Sequence, residues 1–175
     1  MADLRTWRLG LGADHIGADL KNALRDVLGD HPAIESLRDF GAPDATTEVP
    51  YPSVALPVAE AVARGEIDRA ILICGTGIGM AISANKVAGV RATVAYDAYS
   101  VERSILSNNC QVLALGSNVV ALRLAERIVN QWLSYVFDES SRSAAKVDVI
   151  TAYEARRGRV ALTEAADKID DEDSH

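Results

Sequence analysis

Ala70-Ile71-Leu72-Ile73-Cys74-Gly75-Thr76-Gly77-Ile78-Gly79 is an aliphatic run that ends in a cysteine and then in a turn with glycine at every second place. A short run with no alternating polar side suits a strand covered on both faces. The glycines end it, and the small residues that follow, through Lys86, read as a helix. Upstream, Pro52 stands where a helix can begin, and Ala55, Val58, Ala59 and Val62 keep helical spacing to Arg64. Before it come a loop over 41–51 with Pro43 and Pro50, an extended stretch from Ile34 to Phe40, a helix from Gly17 with Leu20, Ala23, Leu24 and Leu28 on one face, and a first strand over Arg8 to Ala13. Downstream, strands over 90–95 and 111–115 flank a helix near 98–106, followed by amphipathic helices over 119–135 and 144–157. Five strands alternating with helices predict an α/β fold: a five-stranded parallel sheet, doubly wound into a sandwich by right-handed crossovers, with a C-terminal helix.

At 175 residues the chain suits one domain with a full core, expected over 1–158. Residues 159–175 include Asp170-Asp171-Glu172-Asp173 and read as an acidic, disordered tail. The net charge of −7 argues against nucleic-acid and anionic-membrane partners, which need a basic face. Without the tail the folded part is closer to neutral, so a small phosphorylated ligand fits. The first residues lack the basic segment and apolar stretch of a secretion signal, and no run is long enough to cross a bilayer, so a cytoplasmic location is expected. Cys74 and Cys110 lack the paired spacings of zinc sites and read as free thiols.

In such a sheet ligands bind beyond the carboxyl ends of the strands. Three segments are expected there: Ala13-Asp14-His15, Cys74 to Gly79, and Ser107-Asn108-Asn109. The glycine turn is neither a P-loop, since Gly-Lys-Ser/Thr is missing, nor a dinucleotide fingerprint, since its glycines fall at 75, 77 and 79. Taken alone it could serve only strand-to-helix packing. A free cysteine is most often a small buried hydrophobe. At a strand tip beside a helix start, however, a thiolate becomes available, and converging N–H groups suit proton abstraction beside a carbonyl, with the amides holding the enediolate oxygen. Thr76 can serve that oxyanion or cap the helix; Asp14 can bind ligand or cap the next one. His15 is placed to contact a phosphate or hydroxyl oxygen. Arg142 and Lys146 stand four apart at a helix start, where cations oppose the dipole, a cost that a bound phosphate would offset. The plainer reading of that pair is a solvated surface.

Gly12-Ala13-Asp14-His15-Ile16-Gly17, Tyr51-Pro52, the run Ile71 to Gly79 with Ala84-Asn85-Lys86, Asn108 with Leu115-Gly116-Ser117, and Val147 to Tyr153 together carry a resemblance. The chain resembles the ribose-5-phosphate isomerase B and galactose-6-phosphate isomerase family, and within it the erythrulose-4-phosphate isomerase type. The likeness covers nearly the whole chain to about Arg157. It implies a Rossmann-like fold, a homodimer (or a tetramer of paired dimers) with active sites at the subunit interface, and neither metal nor nucleotide nor other cofactor. It also implies that Cys74 is the proton-transferring base and that Gly75, Thr76, Gly77, Ile78 and Gly79 form the enediolate's anion hole. Asp14, His15, Ser107, Asn108 and Asn118 would contact substrate, with His15, Arg142 and Lys146 on the phosphate. Lys146 stands where a second arginine is usual and loses its bidentate geometry.

Two departures bear on the substrate. The ribose-phosphate enzymes have a ring-opening histidine at the position of Ser107, and commonly an arginine at that of Asn118. A tetrose phosphorylated on O4 cannot close a furanose, so an enzyme without a ring opener suits D-erythrulose 4-phosphate and D-erythrose 4-phosphate. The rival readings are a ribose-5-phosphate isomerase B acting on open-chain substrate, a non-catalytic sugar-phosphate sensor and a nucleotide-binding module. Cys74 with Thr76 speaks against the sensor, and the lack of an adenine pocket against the module.

Overall fold

The structure, a computed structural model, describes residues 5–157, so the expected acidic tail over 159–175 lies outside the described residues. In chain order the elements are β1 (Trp7–Ala13), α1 (Ala18–Leu28), β2 (Ile34–Gly41), α2 (Tyr51–Ala63), β3 (Arg69–Cys74), α3 (Ile78–Ala84), β4 (Ala92–Val94), α4 (Ala98–Leu106), β5 (Val112–Gly116) and α5 (Leu122–Ser134), and a last helix, α6, spans 144–157. β3 and β5 are buried at every position, which their unbroken aliphatic runs require. The sheet is wholly parallel in the order β2-β1-β3-β5-β4.

Apolar side chains divide between the faces. Leu9, Leu11, Ile71, Ile73, Leu113 and Leu115 pack with α1, α4 and α5, including the fully buried Trp132. Leu72, Val112 and Ala114 pack with Val54 and Val58 of α2 and Met80 of α3. This is the doubly wound α/β architecture that the alternation of elements predicts. At the amino end Arg69 donates to the carbonyls of Trp132 (2.8 Å) and Tyr135 (2.6 Å) and lies over the Trp7 ring, closing the end of α5.

Three boundaries differ from the sequence expectation by about two residues or more, each for a local reason. The small-residue helix stops at Ala84 rather than Lys86. Asn85 ends it and pairs with Ala92 in both directions at 2.8 Å, tying this stretch to the edge strand. That strand keeps only 92–94 of the expected 90–95. The carbonyl of Gly116 accepts the N–H groups of both Val119 and Val120, so the chain turns before α5 can begin at Leu122. Ala23 is half-buried, leaving the α1 face to Leu20, Leu24 and Leu28.

Candidate active site

From β1 the chain moves outward to β2 on one side and later to β3 on the other. The carboxyl ends of β1 and β3 therefore form a switch point, where an open α/β sheet leaves a crevice. Ala13 is in register with Ile73, and Asp14 N–H donates to Ile73 O at 3.3 Å, so Asp14 and Cys74 leave the sheet side by side.

Asp14 is buried, and its Oδ1 accepts the Gly17 N–H at 2.9 Å. Gly17 itself is the N-cap of α1 and has no side-chain cap, so Asp14 braces the turn before the helix and keeps Oδ2 for another partner. His15 is half-buried; its Nδ1 is shielded from water and has no hydrogen-bond partner among the described residues. Such an orphaned atom costs about 1–3 kcal/mol unless something outside the fold meets it.

Cys74 is the last residue of β3 and only 6% exposed. Its sulfur does not face an all-apolar surround: Sγ accepts the Gly77 N–H at 3.1 Å. This contact needs Gly77 at φ +76, the left-handed region open to glycine, which brings the chain back over the strand tip. Thr76 is exposed, and the 3.4 Å from its Oγ1 to the Ile78 N is too long for a firm cap, so the hydroxyl is free for other work. Ile78 is exposed beside it, and Gly79 leaves room for the Tyr51 ring, which a Cβ there would meet at 2.7 Å.

The turn after β5 clasps this loop. Ser117 N–H donates to Cys74 O (2.8 Å), Ser117 Oγ to Ile16 O (3.0 Å), and Asn118 N–H to Gly75 O (3.1 Å). The Asn118 side-chain amide lies directly against Gly75, so the structure brings Asn118 to the site. Tyr96, just past β4, donates its hydroxyl to Thr76 O at 2.6 Å. Sequence reasoning gave no role to Tyr51, Tyr96 or Ser117. The available signal was position, since Ser117 directly follows β5 and Tyr96 comes just after β4, at the ligand-binding end of the sheet.

Ser107, Asn108 and Asn109 do not lie there, contrary to expectation. They follow α4 and precede β5, so a parallel sheet puts them at the amino end of β5. About 16 Å of strand, at roughly 3.3 Å per residue, separates that end from Gly116 and Cys74. The start of α6 shares this pole: Ala144 and Val147 line a cleft with Asn109 and Phe137. Arg142, in the turn before α6, and Lys146, inside it, are both exposed. Within one chain, then, Asp14, His15, Cys74 to Gly79 and Asn118 come together, and Ser107, Asn108, Arg142 and Lys146 gather at the other end.

That second pole holds a cation the sequence did not flag. Arg103 reaches to 3.5 Å from Ser107 Oγ, pairs with Glu102, and leaves a buried Nε with no partner among the described residues. With Asn108, Ser100 and Thr93 it lines a hollow of about 590 Å³. Cys110 is also there, where burial pushes its thiol up to about 11 and suits it to packing rather than chemistry.

The ribose/galactose isomerase family model matches residues 9–150. The chain is 52% identical over 147 residues to D-erythrulose-4-phosphate isomerase 2 of Mycolicibacterium smegmatis, covering 84% of this chain and 97% of that protein. It is 45% identical over 147 residues to D-erythrulose-4-phosphate isomerase of Pectobacterium atrosepticum, covering 83% and 94%. Ribose-5-phosphate isomerase B of Clostridium thermocellum superposes with a TM-score of 0.80 at 42% identity, covering 86% of this chain and 99% of that one.

Proposed function

The chain belongs to the ribose/galactose isomerase family, and from that premise we propose that it interconverts the aldose and ketose forms of a small sugar phosphate, D-erythrulose 4-phosphate and D-erythrose 4-phosphate by preference. The observation that carries the reading is the Cys74 sulfur at a strand tip, held by the Gly77 main-chain N–H inside a glycine-rich loop. Cys74 takes the proton from C1 of the ketose. Charge moves to O2, where N–H groups of the loop from Gly75 to Gly79, other than the Gly77 N–H that steadies the sulfur, hold the enediolate. Thr76 passes the O1 proton to O2, and Cys74 returns its proton to C2, leaving the aldehyde at C1. Asp14 Oδ2 and Asn118 orient substrate hydroxyls, and His15 Nδ1 finds its missing partner on the substrate.

The phosphate end calls for a second chain. Asn108, Arg142 and Lys146 lie a strand length from their own Cys74, so we place them in the site of a partner in a homodimer, which completes two sites across a twofold axis. Apolar side chains left exposed support that interface: Ile78 and Ile82 on α3, and Val149, Ile150 and Tyr153 on α6. Its location is taken as cytoplasmic, where both thiols stay reduced. Mixing tests the arrangement. Cys74→Ala and Arg142→Ala homodimers should each be nearly inactive, whereas chains unfolded and refolded together in equal amounts should regain about a quarter of the parent rate, because half the dimers are hybrids with one intact site. Failure to regain activity would place both residues in the same chain's site.

The four-carbon preference rests on Ser107, which cannot open a ring near neutral pH. Turnover of both substrate sizes should show kcat/KM for ribose 5-phosphate about a hundredfold below that for the tetrose phosphate, the scale of one acid–base contribution. Ser107→His should raise the pentose rate about tenfold and leave the tetrose rate nearly unchanged. A parent enzyme that prefers ribose 5-phosphate overturns the tetrose assignment and leaves the isomerase intact.

A further inference from the structure

Tyr96 and Cys74 are joined through one peptide group. The Tyr96 hydroxyl donates to the Thr76 carbonyl at 2.6 Å, and the N–H of that same Thr76–Gly77 peptide donates to Cys74 Sγ at 3.1 Å. We propose that Tyr96 is a positioning residue for the isomerisation, fixing the Thr76–Gly77 peptide so that its N–H, rather than its carbonyl oxygen, faces the reacting sulfur. The inference rests on the reading of Cys74 as the base.

The peptide needs such a hold. Gly77 sits at φ +76, and glycine passes readily to the other sign of φ, so its flanking peptide can rotate at small cost. Rotated, it would turn the Thr76 oxygen toward the sulfur, placing negative against negative as the thiolate forms, and withdraw the N–H that steadies it. Tyr96 opposes that rotation from a fixed place, since its ring packs against the core on the α1, α4 and α5 side of the sheet. An O–H donor on the carbonyl also polarises the amide and strengthens its N–H as a donor, the cooperative behaviour of hydrogen-bond chains. Burial, together with the charge of Cys74 and against an opposing main-chain contact from Gly116, holds the Tyr96 phenol above its ordinary range, so it stays a donor through neutral pH. Among the described residues no other side chain donates to the Thr76 carbonyl.

Tyr96→Phe keeps the ring and removes only the donor. In a Cys110→Ser background, so that Cys74 is the one thiol, two rates are read near neutral pH: turnover of the tetrose phosphate and alkylation of Cys74 by iodoacetamide without substrate. The expected result is a fall of about tenfold in kcat with KM nearly unchanged, and a matching fall in alkylation, the size of one lost hydrogen bond to a charged group. Parent values of either kcat or alkylation would overturn the proposal, and so would a loss appearing only in KM. Cys74→Ala, run beside it, separates the two claims. If that variant stays active, Cys74 is not the base, yet the alkylation arm still tells whether Tyr96 governs the sulfur. If it is dead while Tyr96→Phe is unchanged, only the role of Tyr96 fails.

Discussion

Cys74→Ala should lower kcat by about a thousandfold or more while a non-isomerisable phosphorylated sugar acid binds within about threefold of the parent affinity. The split follows from what the substitution removes. The main chain of the Gly75 to Gly79 loop and the Asn118 amide beside it are untouched, so the proposed binding groups stay in place. Only the sulfur proposed to accept the carbon-bound proton is gone. Cys74 packs beside Leu72 and Met80, and trimming one small side chain costs about 1 kcal/mol there, too little to unfold the domain. Cys74→Ser is the sharper control: an oxygen can still accept from Gly77, but an unactivated hydroxyl is a poor base near neutral pH. Both variants should therefore be slow. Steady-state kinetics with calorimetric titration decides the matter, and a Cys74→Ala enzyme within tenfold of the parent kcat would remove Cys74 from the mechanism.

The placement of those parts of the candidate site that lie on consecutive residues was legible. Ala70 to Gly79 announces its own strand, stop and turn, and Asp14 and His15 directly follow the first strand, so both halves of the crevice follow from local pattern plus the rule that ligands gather at carboxyl ends. Applying that rule to Ser107 and Asn108 failed because these residues come before β5, and in a parallel sheet what precedes a strand lies at the amino end. The strand order was not legible either. β5 inserts between β3 and β4, which brings Ser117 and Asn118 onto the Cys74 loop and Tyr96 within reach of Thr76. These are contacts between a side chain or turn and main chain 20 to 43 residues away, and no periodicity encodes them. Asn85 belongs with them, since its pairing with Ala92 shortens both a helix and a strand whose patterns run further.

The clasp of the β5 end on the Cys74 loop leads to the second large effect. A Cβ on Gly116 would stand 2.7 Å from Thr76 Cα, 2.8 Å from Thr76 C and 2.9 Å from Gly75 O. All three are main-chain atoms, so no rotamer change relieves the clash; either the end of β5 or the loop must move by a sizeable fraction of an ångström. Movement of either strains the bonds from Ser117 N–H to Cys74 O and from Asn118 N–H to Gly75 O, which set the distance between the two. Gly116→Ala is accordingly expected to lower kcat about a hundredfold, the scale of a 1 Å misplacement in an active site. It should lower folding stability by about 1–3 kcal/mol, as overpacking does. Gly65→Ala makes the comparison fair. Gly65 has φ +68 but nothing within 4 Å of the added methyl, so its backbone strain of about 1 kcal/mol should appear in thermal unfolding with kcat unaltered. If the two variants lost equal stability and both kept the parent rate, the loop would tolerate displacement, and the rate would depend on the thiol and the amides near it rather than on their registration against β5.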